Sequence, residues 1–338
     1  MKLSLIHWHI ELSSICTLKC PRCPRAELPD SLLNKQLTLT FFQTQITASV
    51  MKDIKKITFC GNDGDPIYCK DVIEIIKWIK DINPSIVIVL VTNGSHKKDV
   101  WWRELGVVLN EYDEIHWSLD GWDQQSNEIY RVNSDWESTI NGIRAFSEVN
   151  STTYKVWDTI VFKFNEERIA DIEQLARINN FDLFQLTLST KFGSKYPDAY
   201  STADALEPSD KFIPDGHRFE REFTNLSNKK RFSENIKDIY KGIIKELPDP
   251  KLCFIGNKGV FLNSHGEFYP CCWTANRYEH NKSWLDLGKS KFNLHNRTFK
   301  EIIDDEFWSN DFLKFDSWEC KTKCNSSMLK DKNYILDW

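Results

Sequence analysis

Across roughly the first 190 residues, a short aliphatic or β-branched run is followed by an amphipathic helical stripe about six times, and that alternation constrains the fold more than any other feature. Residues 5 to 12 alternate apolar and polar side chains, as a strand with one covered face does. Ile57-Thr58-Phe59-Cys60 is the next strand-like run, and Ile86 to Val91 is a continuous aliphatic run suited to burial on both faces. Ile115, Trp117 and Leu119, then Val156 to Phe164, then Leu183 to Leu188 continue the series. Between them lie a run through Phe41, Phe42, Ile46 and Val50 behind a Thr40 N-cap, then Val72, Ile75, Ile76 and Ile79 ahead of Pro84. Trp101, Leu105, Val108 and Leu109, then Trp136, Ile140, Ile143 and Phe146, then Ile169, Ile172 and Ala176 form the later stripes. Parallel strands need crossovers of this length, so the chain is predicted to be α/β with a parallel sheet, either open or curled into a full or partial barrel.

In such sheets the functional loops follow the C-terminal ends of the strands. Here those loops carry Cys16-Thr17-Leu18-Lys19-Cys20-Pro21-Arg22-Cys23, Gly61-Asn62-Asp63-Gly64-Asp65-Pro66, Thr92-Asn93-Gly94 and Ser118-Leu119-Asp120-Gly121. The first is the most specific. Cys16, Cys20 and Cys23 can offer three thiolates to one metal assembly, and a four-iron cubane held by three cysteines keeps one iron open to a non-protein ligand. A zinc ion with a distant fourth ligand uses the same triplet.

Residues 191 to 235 carry prolines, serines and charges without periodicity and read as a connection with limited structure of its own; residues 236 to 247 look helical. Beyond Cys253, Val260 and Leu262 alternate toward Ser264-His265-Gly266, followed by Phe268 and Tyr269, a hairpin pattern. The 338 residues are enough for one large domain and a small one, and a net charge of -5 gives no reason to expect nucleic-acid binding. No apolar run reaches membrane-spanning length, and histidines and Glu11 interrupt the N-terminus before a secretory segment could form. Ten cysteines without an export signal suggest a cytoplasmic protein with metal ligands and thiols rather than disulfides. The eight histidines include no H-E-x-x-H pair, and there is no G-x-x-x-x-G-K phosphate loop. Lys163, Asn165 and Arg131 stand near strand or loop ends, where they could meet substrate carboxylates or simply be solvated. Packing accounts for most of the thirteen tryptophans.

The cysteine loop, with Ile6-His7-Trp8-His9-Ile10-Glu11-Leu12 before it, resembles the signature of the radical S-adenosylmethionine (SAM) superfamily. The resemblance implies a partial (β/α)6 TIM-like barrel over residues 1 to 195. It also implies a 4Fe-4S cluster on Cys16, Cys20 and Cys23 that binds SAM and reductively cleaves it to a 5'-deoxyadenosyl radical. Asp63-Gly64-Asp65-Pro66 occupies the place of the family's Gly-Gly-Glu-Pro segment, which holds the SAM amino group, with Asp63 for glycine and Asp65 for glutamate as departures. Ser118 and Asp120 lie where the family often places ribose contacts, although a strand-ending turn would look the same.

Downstream, Cys253, Gly266 and Cys271, with Leu287-Gly288, Phe299-Lys300-Glu301-Ile302, Cys320 and Cys324, resemble a Twitch domain, the shortened relative of the SPASM domain. That resemblance implies a small α+β domain over residues 251 to 330, a linker over 196 to 250 and a tail over 331 to 338. It implies an auxiliary 4Fe-4S cluster on Cys253, Cys271, Cys320 and Cys324, with Cys272 able to exchange with Cys271 and a structural zinc as the alternative. Enzymes with this domain pairing act most often on peptides or proteins, so a peptide or protein substrate is expected, with flavodoxin or ferredoxin as one-electron donor and no membrane partner. No leader-binding winged helix is expected at the N-terminus, because the first strand begins almost at Met1. Cys60, Cys69 and Cys272 are candidate hydrogen-atom donors, which favours epimerisation over crosslinking or oxidation; inert buried thiols are the alternative for each. Two other readings stand beside this one: radical chemistry on a small-molecule metabolite, and a non-catalytic zinc-stabilised binding protein.

Overall fold

The computed structural model describes residues 5–188, 206–207, 209, 218–223, 259–277 and 282–312. Nine strands are present among them: β1 (His7–Ile10), β2 (Lys56–Phe59), β3 (Val87–Thr92), β4 (Glu114–Ser118), β5 (Tyr154–Val161), β6 (Leu183–Leu188), β7 (Arg218–Glu222), β8 (Val260–Leu262) and β9 (Phe268–Tyr269). Their order in the sheet is β7-β6-β5-β4-β3-β2-β1-β8-β9. β1 pairs in parallel with β2, and β3-β4, β4-β5 and β5-β6 are parallel pairs as well. Helices Val72–Ile82, Asp99–Val108, Trp136–Val149 and Ile169–Ile178 supply the crossovers from β2 through β6. The sheet has two different edges and is not closed, consistent with the expected α/β partial barrel.

Three local differences from the sequence reading have clear causes. The helix read behind Thr40 is Leu39–Gln45, capped by Thr38 rather than Thr40, because the Thr38 hydroxyl accepts from Phe41 N–H at 3.1 Å. The run toward Val50 belongs to a separate helix, Ala48–Asp53. β7 lies inside the stretch read as a connection; its Arg-Phe-Glu-Arg-Glu sequence is charged because it is an antiparallel edge strand on β6. The hairpin of β8 and β9 forms as expected, and β8 also pairs in parallel with β1. The helical reading of 236 to 247 falls outside the described residues.

The chain divides into two compact units, one drawn from Met1–Ile15, Ser31–Ile88 and Phe232–Trp338, the other from Cys16–Asp30 and Val89–Arg231. In the first, Trp8 on β1 packs against Phe299 (ring centroids 5.1 Å) and Phe268 (5.9 Å), while His7 and His9 turn to the opposite face. In the second, Trp117 on β4 lies 5.6 Å from Phe146 and 5.4 Å from Phe181, and Trp157 on β5 lies 5.2 Å from Phe181. Each large apolar side chain buried this way contributes about 1.5–3 kcal/mol before entropy. Because side chains alternate across a strand, fixing Trp117 and Trp157 on the helical side turns Glu114, His116, Ser118 and Asp158 to the other face.

Candidate active site

The cysteine loop belongs to the second unit. Cys20 is buried in an apolar cluster with Leu18, Tyr130 and Phe162, and the half-buried Cys16 and Cys23 pack against the same cluster. The loop is held by its backbone: Lys19 N–H donates to Val132 O at 2.9 Å, and Cys23 N–H to Cys20 O at 3.0 Å. Pro24, at the start of helix Pro24–Glu27, ends it. Asn93, in the Thr-Asn-Gly turn after β3, points its Nδ2 at Cys16 Sγ at 3.6 Å, a contact the sequence reading did not assign. Burial pushes the Cys20 thiol up to about 11, and the Arg131 guanidinium pulls it the other way, toward the thiolate a metal needs.

Among the described residues no three His, Cys, Asp or Glu side chains converge on a single ion. A cubane asks for something different, because each cysteine sulfur binds its own iron. Three free cysteines on one apolar wall, with the Asn93 amide directed at the Cys16 sulfur and the Arg131 guanidinium beside Cys20, fit that group.

Asp120 is a hub of the same unit. Its carboxylate is fully buried, receives Ile160 N–H at 2.7 Å and Arg131 Nε at 2.5 Å, and its carbonyl accepts from Asn165 Nδ2 at 2.8 Å. Burial raises its pKa, with Arg131 opposing. Three residues singled out in sequence are therefore bonded to one another: Asp120 holds Arg131, and Asn165 closes the turn after β5. Lys163 pairs with Glu207. Ser118 ends β4, half-buried, in register with Asp158.

The Gly-Asn-Asp-Gly-Asp-Pro turn after β2 belongs to the first unit. It docks on Ser13–Ile15, the segment that runs straight into Cys16. A Cβ at Gly64 would stand 1.8 Å from Ser13 O, so only glycine fits, and Asp65 N–H donates to Ile15 O at 3.0 Å. The Asp65 carboxylate caps the following turn, Pro66–Tyr68, through Ile67 N–H at 3.1 Å. Asp63 pairs with Arg277, whose Nε lies 2.8 and 2.9 Å from its two oxygens. Glu11 is the residue sequence reasoning missed. Just past β1 and buried, it accepts Asp63 N–H at 2.7 Å on one oxygen and the Ser264 hydroxyl at 3.2 Å on the other. Burial, with the Asp63 charge adding to it, raises the Glu11 pKa to about 7.

The candidate hydrogen donors differ in setting. Cys69 is buried and gives its S–H to Leu37 O at 3.3 Å, as a structural thiol does. Cys60 lies 3.9 Å from His9 Nδ1, and burial pushes its thiol up to about 12, keeping the hydrogen on sulfur. Cys271 and Cys272 are half-buried, and Cys272 O accepts from Asn62 Nδ2 at 3.0 Å. Cys253, Cys320 and Cys324 lie outside the described residues.

A second polar group, unassigned in sequence, lies on β4 to β6. His116 Nδ1 is 2.9 Å from Asp158 Oδ2, its Nε2 is 3.4 Å from Glu114 Oε2, and Gln185 donates to the other Asp158 oxygen. Burial works against charge on His116, but Asp158 and Glu114 outweigh it and its pKa is raised. Alternating polar residues in otherwise aliphatic strands were the available signal.

The profile described as "Radical SAM superfamily" matches residues 10–177, a span that takes in the cysteine loop, the glycine-acid turn and β2 to β5. This chain carries a radical SAM superfamily domain. Its sheet resembles that of Streptococcus suis SuiB, with a TM-score of 0.55 at 15% identity over 91% of this chain and 66% of that one. It also resembles anSMEcpe with bound AdoMet, with a TM-score of 0.51 at 16% identity over 94% and 85%. These likenesses show the fold. Among curated relatives, GTP 3',8-cyclase of Sulfurimonas denitrificans is 24% identical over 276 residues, 78% of this chain and 79% of its own length. The probable GTP 3',8-cyclase of Methanocaldococcus jannaschii is 30% identical over 50% of this chain and 54% of its own, and molybdenum cofactor biosynthesis protein 1 of Drosophila melanogaster is 26% identical over 61% and 37%. The chain thus spans little more than a third of the fly protein and about half of the archaeal one.

These relatives overturn the expectation of a peptide or protein substrate and of epimerisation, because they are named for a reaction on a small molecule. The peptide preference was carried by the Twitch resemblance, not by any residue that touches substrate. A radical SAM domain implies a 4Fe-4S cluster, SAM and a one-electron reductant. No helix among the described residues is long and apolar enough to cross a membrane.

Proposed function

We propose that this radical SAM enzyme acts on a small-molecule substrate, with a guanine nucleotide as first candidate. The observation that carries the reading is the alignment with the Sulfurimonas GTP 3',8-cyclase, which runs through most of both chains. Cys16, Cys20 and Cys23 would hold the SAM-cleaving cluster; when bound, it supplies the electron that opens SAM. Asn93 orients Cys16, and Arg131, fixed by Asp120, places positive charge beside Cys20. The turn 61–66 would receive SAM through its backbone, since Asp63 and Asp65 already have structural partners. Ser118 and the Asp158-His116 pair offer hydrogen-bonding groups to a polar substrate on β4 and β5.

An auxiliary 4Fe-4S cluster on Cys253, Cys271, Cys320 and Cys324, within a Twitch-like segment 251 to 330, belongs to this proposal, as do a flavodoxin or ferredoxin donor and a cytoplasmic location. Of the three candidate hydrogen donors, Cys69 is engaged with Leu37 O, which leaves Cys60, beside His9 Nδ1, and Cys272 for that role. The test is incubation of the reconstituted enzyme with SAM, dithionite and C–H-deuterated GTP, guanosine or ATP. Transfer of deuterium into 5'-deoxyadenosine from a nucleotide supports the reading; transfer from none of them, with SAM still cleaved, removes guanine nucleotides from it.

A further inference from the structure

Asp63 stands where the family resemblance calls for glycine, and its side chain is used. The Asp63-Arg277 pair is 13% exposed on each side, with Nε at 2.8 Å, and it joins the turn after β2 to the segment carrying Cys271 and Cys272. Two further ties run the same way. Asn62 Nδ2 donates to Cys272 O at 3.0 Å, and Glu11, which accepts Asp63 N–H, also accepts the Ser264 hydroxyl from the β8-β9 loop. Consecutive residues 62 and 63 thus grip positions 272 and 277, all within one unit.

We propose that Asp63 and Arg277 form a latch that fixes the turn 61–66 against the Cys271–Cys272 segment and thereby sets the affinity for SAM. Both are positioning residues, and the inference rests on the reading of 61–66 as the SAM turn. The physical argument is preorganisation. A backbone site for an ammonium group works only if its carbonyls are held in place, and a turn with two glycines has little intrinsic rigidity. Arg277 also offsets the repulsion between the Asp63 carboxylate and the buried Glu11, and its loss would let the turn relax away from that repulsion.

The test is SAM binding to the anaerobically reconstituted full chain, followed by calorimetry for wild type, Asp63→Asn, Arg277→Gln and the double variant, with iron content and melting checked for each. Each single variant is expected to weaken SAM binding about tenfold, and the double variant no further than either single, as coupled residues require. In turnover, the loss is expected mainly in the KM for SAM. Should the charge variants fold poorly, Asn62→Ala, which removes only the second tie, is expected to weaken binding about threefold. Wild-type affinity in the folded single variants, or fully additive losses in the double variant, would overturn the latch. Gly61→Ala separates the two readings, because its Cβ would stand 2.7 Å from Gly64 O and distort the turn itself. If Gly61→Ala alone weakens SAM binding, the latch falls and the turn stands; if neither it nor the latch variants do, both fall.

Discussion

Arg131 Nε lies 2.5 Å from Asp120 Oδ2, and the carboxylate it pairs with is fully buried behind the cysteine loop. Removing one partner of such a pair leaves a charge without compensation, which costs about 3–5 kcal/mol. Arg131→Met is therefore expected to lower unfolding stability by that amount in urea melts. Because the guanidinium also favours the Cys20 thiolate, the variant's reconstituted cluster is expected to reduce at a more negative potential than wild type, read by EPR-monitored titration.

Gly64 meets the backbone of Ser13 and Ser14, which cannot yield without moving the start of the cysteine loop. Gly64→Ala is expected to cost about 1–3 kcal/mol of stability, as overpacking does. SAM binding is expected to fall below detection in the folded fraction, measured by equilibrium dialysis.

Glu11 gives the fold a pH dependence of unusual sign for a carboxylate. Its folded pKa, about 7, stands above the ordinary glutamate value of 4.5, so the folded chain binds a proton that the unfolded chain has released between those values. Its contribution is fully present below about pH 4.5 and is lost as pH rises through about 7. Glu11→Gln is expected to flatten the decline in stability between pH 5 and roughly 7.5, measured by urea unfolding across that range. An unchanged slope would show that Glu11 is ionised in the folded chain throughout.

His116 is shifted in the same direction for a different reason, holding its proton through Asp158 and Glu114 against the effect of burial. Asp158→Asn is expected to lower the His116 pKa, seen by NMR titration of the imidazole. It is also expected to raise the KM for a substrate that uses this face about tenfold, with a smaller effect on kcat.

Much of this architecture could be read from the sequence because its signals are periodic. The helix over Val72–Ile82 and the strand over Val87–Thr92 follow directly from their apolar spacing. Edge strand β7 escaped because its residues alternate charge rather than hydrophobicity. Spacing also brought Cys16, Cys20 and Cys23 together, since three cysteines on one loop are a local property. Asp63 and Asp120 were singled out as cofactor contacts, but their protein partners Arg277 and Arg131 were not, and for Asp63 the choice of a partner 214 positions away is made by tertiary packing, not by local pattern. Glu11 was hidden for the same reason, as its partners Asp63 and Ser264 come from two distant segments.

The most direct test of the whole account is 5'-deoxyadenosine formation from SAM by the anaerobically reconstituted chain with dithionite, with and without GTP. Reductant-dependent 5'-deoxyadenosine that GTP stimulates is expected, as is its abolition in Cys16→Ala, Cys20→Ala and Cys23→Ala. Iron bound at the loop without any SAM cleavage, or cleavage that persists after loss of all three cysteines, would contradict it.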